Sequence, residues 1–127
     1  MRKIDLTYII DDDKIFVFVL KKILAKNENF NQVIDFRNGE DVLEMLLDKN
    51  NQFPDIILLD INMPVIDGWQ FLEEIEKLPN KDQLNVFIMS SSIDTNDIEK
   101  SKSFSTVKDF ISKPINNEKL NKLIESI

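Results

Sequence analysis

The stretch Ile56-Ile57-Leu58-Leu59-Asp60 decides the fold, because four apolar residues in a row end directly in a carboxylate. A second uninterrupted apolar run, Val86-Phe87-Ile88-Met89, ends in the hydroxyl of Ser90. A strand with one face in water alternates apolar and polar residues, whereas a continuous apolar run is typical of a strand covered on both faces. The two runs therefore predict buried strands of a parallel sheet.

Short apolar runs and segments of helical period alternate along the rest of the chain. We interpret the segment after the three aspartates Asp11–Asp13 as a helix, with Asp13 as its N-cap. Elsewhere, apolar residues spaced by three and four predict helices. The predicted helices cover 15–25, 42–47, 71–78, 94–104 and 120–127, and the predicted strands are Ile4–Ile10, Val33–Phe36, Asp55–Leu59, Leu84–Met89 and Phe110–Ser112.

This alternation is a β-α unit repeated five times over residues 1–127, which we interpret as a single domain. Crossovers between parallel strands are right-handed and place helices on both faces of the sheet. The predicted fold class is therefore α/β, with a doubly wound five-stranded parallel sheet. Sheets of this kind bind ligands outside the carboxyl ends of their strands, so the residues that follow the strands are the candidate site.

The composition excludes several classes of function. The chain has no Cys and no His, which rules out disulfides, catalytic triads with histidine and the common zinc sites. The 23 acidic residues outnumber the 16 basic ones, and a net charge of −7 disfavours direct binding to nucleic acid. No apolar run reaches transmembrane length, and nothing at the start has the pattern of a signal peptide. We predict a cytoplasmic protein without a membrane partner.

Polar side chains follow four of the predicted strands. Asp11–Asp13 follows the first strand, and Asp60 ends the third. Ser90 follows the fourth strand, and Lys113 follows the fifth. Neighbouring carboxylates repel each other, and Mg²⁺ relieves this repulsion by taking oxygen ligands. Asp60 can attack phosphorus to give an aspartyl-phosphate, while Lys113 and Ser90 supply a charge and a hydrogen bond to the phosphoryl group.

Four blocks of sequence together resemble the receiver domain of bacterial two-component response regulators. They are Ile9-Ile10-Asp11-Asp12-Asp13, Leu59-Asp60-Ile61-Asn62-Met63-Pro64-Val65-Ile66-Asp67-Gly68, Ile88-Met89-Ser90-Ser91 and Phe110-Ile111-Ser112-Lys113-Pro114. The resemblance covers essentially the whole chain, and the motif within residues 60–68 is its most specific part. It implies a flavodoxin-like (βα)5 fold with strand order 2-1-3-4-5. It also implies a phosphoprotein of phosphorelay signalling, either a stand-alone regulator or a domain of a longer one, that catalyses only its own phosphorylation and dephosphorylation.

The same resemblance assigns a metal and a phosphoacceptor. It implies that Asp60 accepts the phosphoryl group and that Asp11, Asp12 and Asp60 itself bind Mg²⁺, for which Mn²⁺ is a possible substitute. It further implies that Asn62 offers its backbone carbonyl to the metal. Within Asp11–Asp13 we favour the first two residues as ligands because they directly follow the strand, and Asp13 then opens the helix.

A second set of implied residues concerns the phosphoryl group and the switch. Lys113 matches the phosphate-binding lysine, before a peptide bond to Pro114 that is usually cis in this family. Ser90 matches the hydroxyl that turns toward the phosphoryl group, and Phe110 matches the aromatic side chain that fills the vacated space.

One departure from the family pattern concerns Thr106-Val107, where the family usually has Gly-Ala. A β-branched residue disfavours positive φ, so we expect the fourth helix to end without a glycine-type cap.

The resemblance also implies partners. Because the chain has no His, the phosphohistidine donor must belong to another molecule, either a sensor histidine kinase or a histidine phosphotransfer protein. The downstream target is expected to be a protein that reads the surface formed by the fourth helix, the fifth strand and the fifth helix.

Three alternative functions fit the sequence less well than a phosphorylated receiver domain. A degenerate receiver would bind partners without phosphate, although every expected reactive position is filled here. A flavin mononucleotide binder needs a phosphate loop rich in Ser, Thr and Gly after the first strand, whereas Asp11–Asp13 would repel phosphate. A phosphatase with an Asp nucleophile commonly carries a second Asp two residues later, and here Asn62 takes that position.

Overall fold

A computed structural model describes residues 3–62 and 67–127. The strands are β1 (Ile4–Ile10), β2 (Phe30–Phe36), β3 (Ile56–Asp60), β4 (Val86–Ser90) and β5 (Val107–Ser112). The helices are α1 (Lys14–Lys26), α2 (Gly39–Leu47), α3 (Gly68–Ile75), α4 (Thr95–Ser101) and α5 (Asn117–Glu125), with a 3-10 turn at Lys81–Gln83. The Met63-Pro64-Val65-Ile66 part of the motif lies outside the described residues.

The five strands form one parallel sheet in the order β2-β1-β3-β4-β5. This confirms the predicted α/β class and strand order. Every residue of β3 and β4 is buried, as their uninterrupted apolar sequences predicted. Within 3–62 and 67–127, no helix is both long enough and apolar enough to cross a membrane.

The core consists of two apolar clusters, one on each face of the sheet. Successive residues of β3 point to opposite faces, so Leu58 joins one cluster and Ile57 joins the other. The cluster with Leu58 includes residues of α1 and α5, and the cluster with Ile57 includes residues of α2 and α3. Both faces of the central strands are therefore covered, and only their ends remain for a site.

The edge strands and several helices differ from the predicted bounds. The helices α2, α3 and α5 each begin three residues before the predicted apolar spacing, because their N-caps set the first turn, and α3 ends at Ile75 rather than at residue 78. β2 and β5 each begin three residues before the predicted apolar runs, because edge strands carry polar residues on their solvent side. The predicted extension of α4 to Phe104 is wrong, since the helix ends at Ser101. As expected, no glycine-type cap ends it: Lys102 has φ −64°, and the described residues contain no positive φ.

Polar N-caps start all five helices. The cap residues are Asp13, Asn38, Asp67, Asp94 and Asn116, and each side chain accepts a backbone N–H from the first turn. Such caps stabilise a helix by about 1 kcal/mol each. The predicted cap at Asp13 is confirmed.

Gly68 fixes the path of the chain between β3 and α3. A Cβ at this position would lie 2.5 Å from the Cα of Ile61, which is closer than backbone atoms allow. The Gly68 N–H also donates to the Ile61 carbonyl at 3.0 Å. A residue without a side chain is therefore required where α3 begins, directly beside the residue that follows Asp60.

Candidate functional site at the carboxyl ends of the strands

Three carboxylates meet where β1 and β3 end. The register pairs Ile10 with Leu59, so the next residues on the two strands, Asp11 and Asp60, leave the sheet side by side. Together with Asp12 they place one carboxylate oxygen each within 4.8 Å of one another. Asp11 and Asp60 are buried, whereas Asp12 is exposed. The structure thus brings together the three acidic residues that the sequence singled out as metal ligands.

Asp11 is held on both sides of its carboxylate. One oxygen accepts the Asp13 N–H at 2.9 Å, and the other accepts the Lys113 ammonium at 2.9 Å. The Lys113 Nζ also lies 4.0 Å from Oδ2 of Asp60. Since the lysine side chain is only 20% exposed, its charge acts on both carboxylates with little screening by water.

The fold opposes the negative charge of the Asp60 carboxylate. Burial raises the pKa of Asp60 to about 6, and the charges of Asp11 and Asp12 push the pKa in the same direction. A hydrogen bond from the Asn62 N–H to Oδ1, at 3.0 Å, and the charge of Lys113 both lower it. A cation bound at these carboxylates would therefore relieve a real electrostatic cost.

Ser90 and Lys113 lie at the ends of β4 and β5. The Lys113 N–H donates to the Ser90 carbonyl at 2.9 Å, which joins the two strand ends. The Ser90 hydroxyl donates to the Ser92 carbonyl at 2.8 Å and accepts the Ser92 N–H at 3.1 Å. The hydroxyl is thus engaged within its own loop. The Lys113–Pro114 peptide bond is cis, as the family resemblance implied.

Phe110 is half-buried on β5, where it pairs with Ile88 and packs against the cluster that contains Ile57. Its switch role, the movement of Ser90 and the metal contact of the Asn62 carbonyl stay predictions.

The donor set fits a hard cation. Asp11, Asp12 and Asp60 offer only oxygen atoms, and Mg²⁺ is bound in proteins through one or two carboxylates together with waters and phosphate oxygens. One of the three carboxylates is exposed, so the cluster is open to solvent and to a substrate. Histidine and cysteine ligands favour softer metals such as zinc and copper, and the chain has neither residue.

Two further residues make contacts that the sequence did not indicate, Phe16 at this site and Glu76 at the opposite edge of the sheet. The ring of Phe16 lies under the Lys113 ammonium, with 4.2 Å between Nζ and the ring centroid. Glu76, at the end of α3, accepts hydrogen bonds from Ser105 and from the Thr106 N–H and so anchors the loop before β5. Partial burial alone would raise the pKa of Glu76, but these hydrogen bonds and one from Lys81 lower it to about 2.

Comparison with known proteins gives a consistent result. The family model of the response regulator receiver domain matches residues 7–125. The chemotaxis protein CheY of Listeria monocytogenes is 31% identical over 120 residues, which are 94% of this chain and 96% of CheY. The solved structure of a two-component response regulator from Cytophaga hutchinsonii has a TM-score of 0.86 and 31% identity, covering 98% of this chain and 96% of that chain.

A further relative is longer than the matched region. The transcriptional regulatory protein DegU of Brevibacillus brevis is 41% identical over 73 residues, which are 57% of this chain and 30% of DegU. The similarity to DegU therefore concerns one part of that protein, whereas the similarities to CheY and to the C. hutchinsonii structure extend over nearly the full length of both chains.

Proposed function

The chain belongs to the response regulator receiver domain family, and from this premise we propose that it accepts a phosphoryl group on Asp60 in a Mg²⁺-dependent transfer from a partner's phosphohistidine. Receiver domains are signalling domains, so we expect the phosphorylated form of the protein to be the one that carries the signal. The carboxylate cluster with Lys113 beside it is the observation that carries the proposal. We place this step in the cytoplasm, where such kinases act.

The chemistry that these residues support is an in-line displacement. A carboxylate oxygen of Asp60 attacks phosphorus and forms a P–O bond, while the N–P bond of the phosphohistidine breaks and its electron pair stays on the imidazole. Lys113 neutralises charge on the transferred group and on the Asp11 carboxylate. Mg²⁺, held by Asp11, Asp12 and Asp60, would supply further neutralisation of the phosphoryl oxygens.

The direct test uses a small phosphodonor, so that no kinase is needed. Incubation with acetyl phosphate and Mg²⁺ is expected to add one phosphoryl group to the intact mass, because the donor needs only access to Asp60. The same incubation with excess EDTA is expected to leave the mass unchanged. A protein that stays unmodified with Mg²⁺ present would contradict the proposal.

We further propose that the phosphodonor protein docks on α1. Ile15, Phe18 and Val19 are 79%, 60% and 50% exposed there, an apolar face at helical spacing. A cleft of about 240 Å³ lined by both Phe18 and Asp11 connects this face with the carboxylates. The helix carries four lysines and no acidic residue, although the whole chain has a net charge of −7. These features fit a partner surface that is apolar at its centre and acidic around it.

Phe18→Glu is expected to slow phosphotransfer from the cognate phosphorylated donor protein by about tenfold to a hundredfold, because it places a charge in the apolar centre of the contact. Phosphorylation by acetyl phosphate should stay unchanged, since that donor needs no docking surface. Leu47→Glu is a matched control: Leu47 is 65% exposed on α2, away from the cleft. Equal slowing by both variants would contradict docking on α1.

A further inference from the structure

The ammonium group of Lys113 has an aromatic neighbour besides its two carboxylates. Its Nζ lies 4.2 Å from the centroid of the Phe16 ring, well within the distance of about 6 Å at which a ring face attracts a cation. Phe16 is half-buried and packs against the apolar cluster that contains Leu58, which fixes the position of the ring. Lys113 is therefore bounded by Asp11, Asp60 and one aromatic side chain.

The start of α1 places this ring. The Asp13 carboxylate accepts the N–H groups of Ile15 and Phe16, each at 3.1 Å, and the Asp13 N–H donates to Asp11 at 2.9 Å. Asp11 in turn accepts from Lys113 at 2.9 Å. Asp11 thus orients both the helix cap that carries Phe16 and the lysine that the ring contacts. The pair is held from both sides, although its members are 97 positions apart in the chain.

We propose that Phe16 is a positioning residue for phosphoryl transfer, an inference that rests on the proposed function of Asp60 and Lys113. A lysine ammonium has three N–H donors, of which Asp11 takes one, while the distance to Asp60 is 4.0 Å. A carboxylate in place of the ring would take a further donor and pair with the charge. The ring attracts the cation without accepting a conventional hydrogen bond, so it holds the ammonium beside Asp60 and leaves N–H groups for an incoming phosphoryl oxygen.

The first measurement is structural and needs no activity. In the proton NMR spectrum, the ring current of Phe16 is expected to shift the ε-methylene signal of Lys113 upfield in the unmodified protein. Phe16→Leu should return that signal to the usual range for lysine, and Phe16→Tyr should keep it shifted. A signal that is unshifted in the wild-type protein would overturn the inference even if Asp60 is phosphorylated normally.

The second measurement is the rate of phosphorylation by acetyl phosphate at saturating Mg²⁺. Phe16→Leu is expected to lower the rate by about threefold to tenfold, while Phe16→Tyr stays near the wild-type rate. In a Lys113→Met background the two variants should have equal rates, because the cation on which the ring acts is gone. A loss of rate in Phe16→Leu that persists unchanged without the lysine would mean that Phe16 acts through general packing, and would overturn the inference.

A second cation–aromatic pair supplies a matched control. The ring of Trp69 on α3 lies 4.8 Å from the Nζ of Lys100 on α4. Trp69→Leu should leave the acetyl phosphate rate unchanged, and equal slowing by Phe16→Leu and Trp69→Leu would count against a positioning role. A wild-type protein that is never phosphorylated would instead contradict the proposed function, while the NMR measurement still decides where the ring and the ammonium lie.

Discussion

Asp60→Asn is expected to abolish phosphorylation, with a loss of more than about a thousandfold in rate. The amide keeps the size of the carboxylate but has no nucleophilic oxygen at neutral pH. Asp11 cannot readily replace it, because both of its oxygens are engaged by Asp13 and Lys113. Intact mass after incubation with acetyl phosphate and Mg²⁺ measures the effect directly.

Asp82→Asn is the control for this experiment, since Asp82 is an exposed carboxylate in the 3-10 turn, remote from the carboxyl ends of the strands. It should be phosphorylated as fast as the unmodified protein. If Asp60→Asn still gains a phosphoryl group, the acceptor is another residue, and the exposed Asp12 is the first to examine by peptide mapping.

The labelling experiment also separates the proposal from its alternative, a degenerate receiver that binds partners without phosphate. Such a protein would keep the fold but would gain no phosphoryl group. The electrostatics argue against a degenerate receiver. Asp60, Asp11 and Asp12 repel one another, and burial together with this repulsion raises the pKa of Asp60, a destabilising arrangement that a bound cation would relieve. A phosphatase with an Asp nucleophile is disfavoured too, because the residue two positions after Asp60 is Asn62, which cannot act as a general acid.

The central strands could be predicted from the sequence because a strand that is buried on both faces is apolar at consecutive positions. Ile56–Asp60 is apolar until its last position, and it forms a strand buried on both faces. An edge strand carries a weaker signal. Val107–Ser112 contains two consecutive exposed charged residues, Lys108 and Asp109, so only its last three residues had the apolar character of a strand. The end of α4 was missed because Glu76, from another element, holds the loop that follows.

The site follows the same rule. Asp11, Asp12, Asp60 and Lys113 could be predicted because each is the residue at a strand end, and the ends of parallel strands meet at one edge. The contact between Phe16 and Lys113 could not, because it depends on the orientation of α1 over the sheet. An aromatic residue in the first turn of a helix is usually part of the core, and nothing in its spacing indicates a cation partner.

In the absence of divalent metal, Asp60→Asn is also expected to stabilise the fold, by about 2 kcal/mol at pH 8. The pKa of Asp60 is about 6 in the folded protein, above its ordinary value of 3.8. At pH 8 the folded protein therefore carries a buried charge that the unfolded chain accommodates at no cost in water. Asparagine removes this charge and keeps the side chain's shape, so urea unfolding should show a higher free energy of unfolding for the variant.

The sign of the pH dependence makes this prediction specific. Between about pH 4 and pH 6 the folded state holds the Asp60 proton more tightly than the unfolded state, so wild-type stability falls relative to the variant as pH rises through this range. Above pH 6 the difference in stability between the two proteins is constant, and below pH 4 it disappears.

Asp12→Asn, at an exposed position, should produce a much smaller change in stability. Adding Mg²⁺ should stabilise the wild-type protein more than Asp60→Asn, because the cation offsets the charge that the variant lacks. If Asp60→Asn is less stable than the wild-type protein at pH 8 without metal, then the buried carboxylate is compensated by its neighbours, and the electrostatic argument for a cation in this pocket fails.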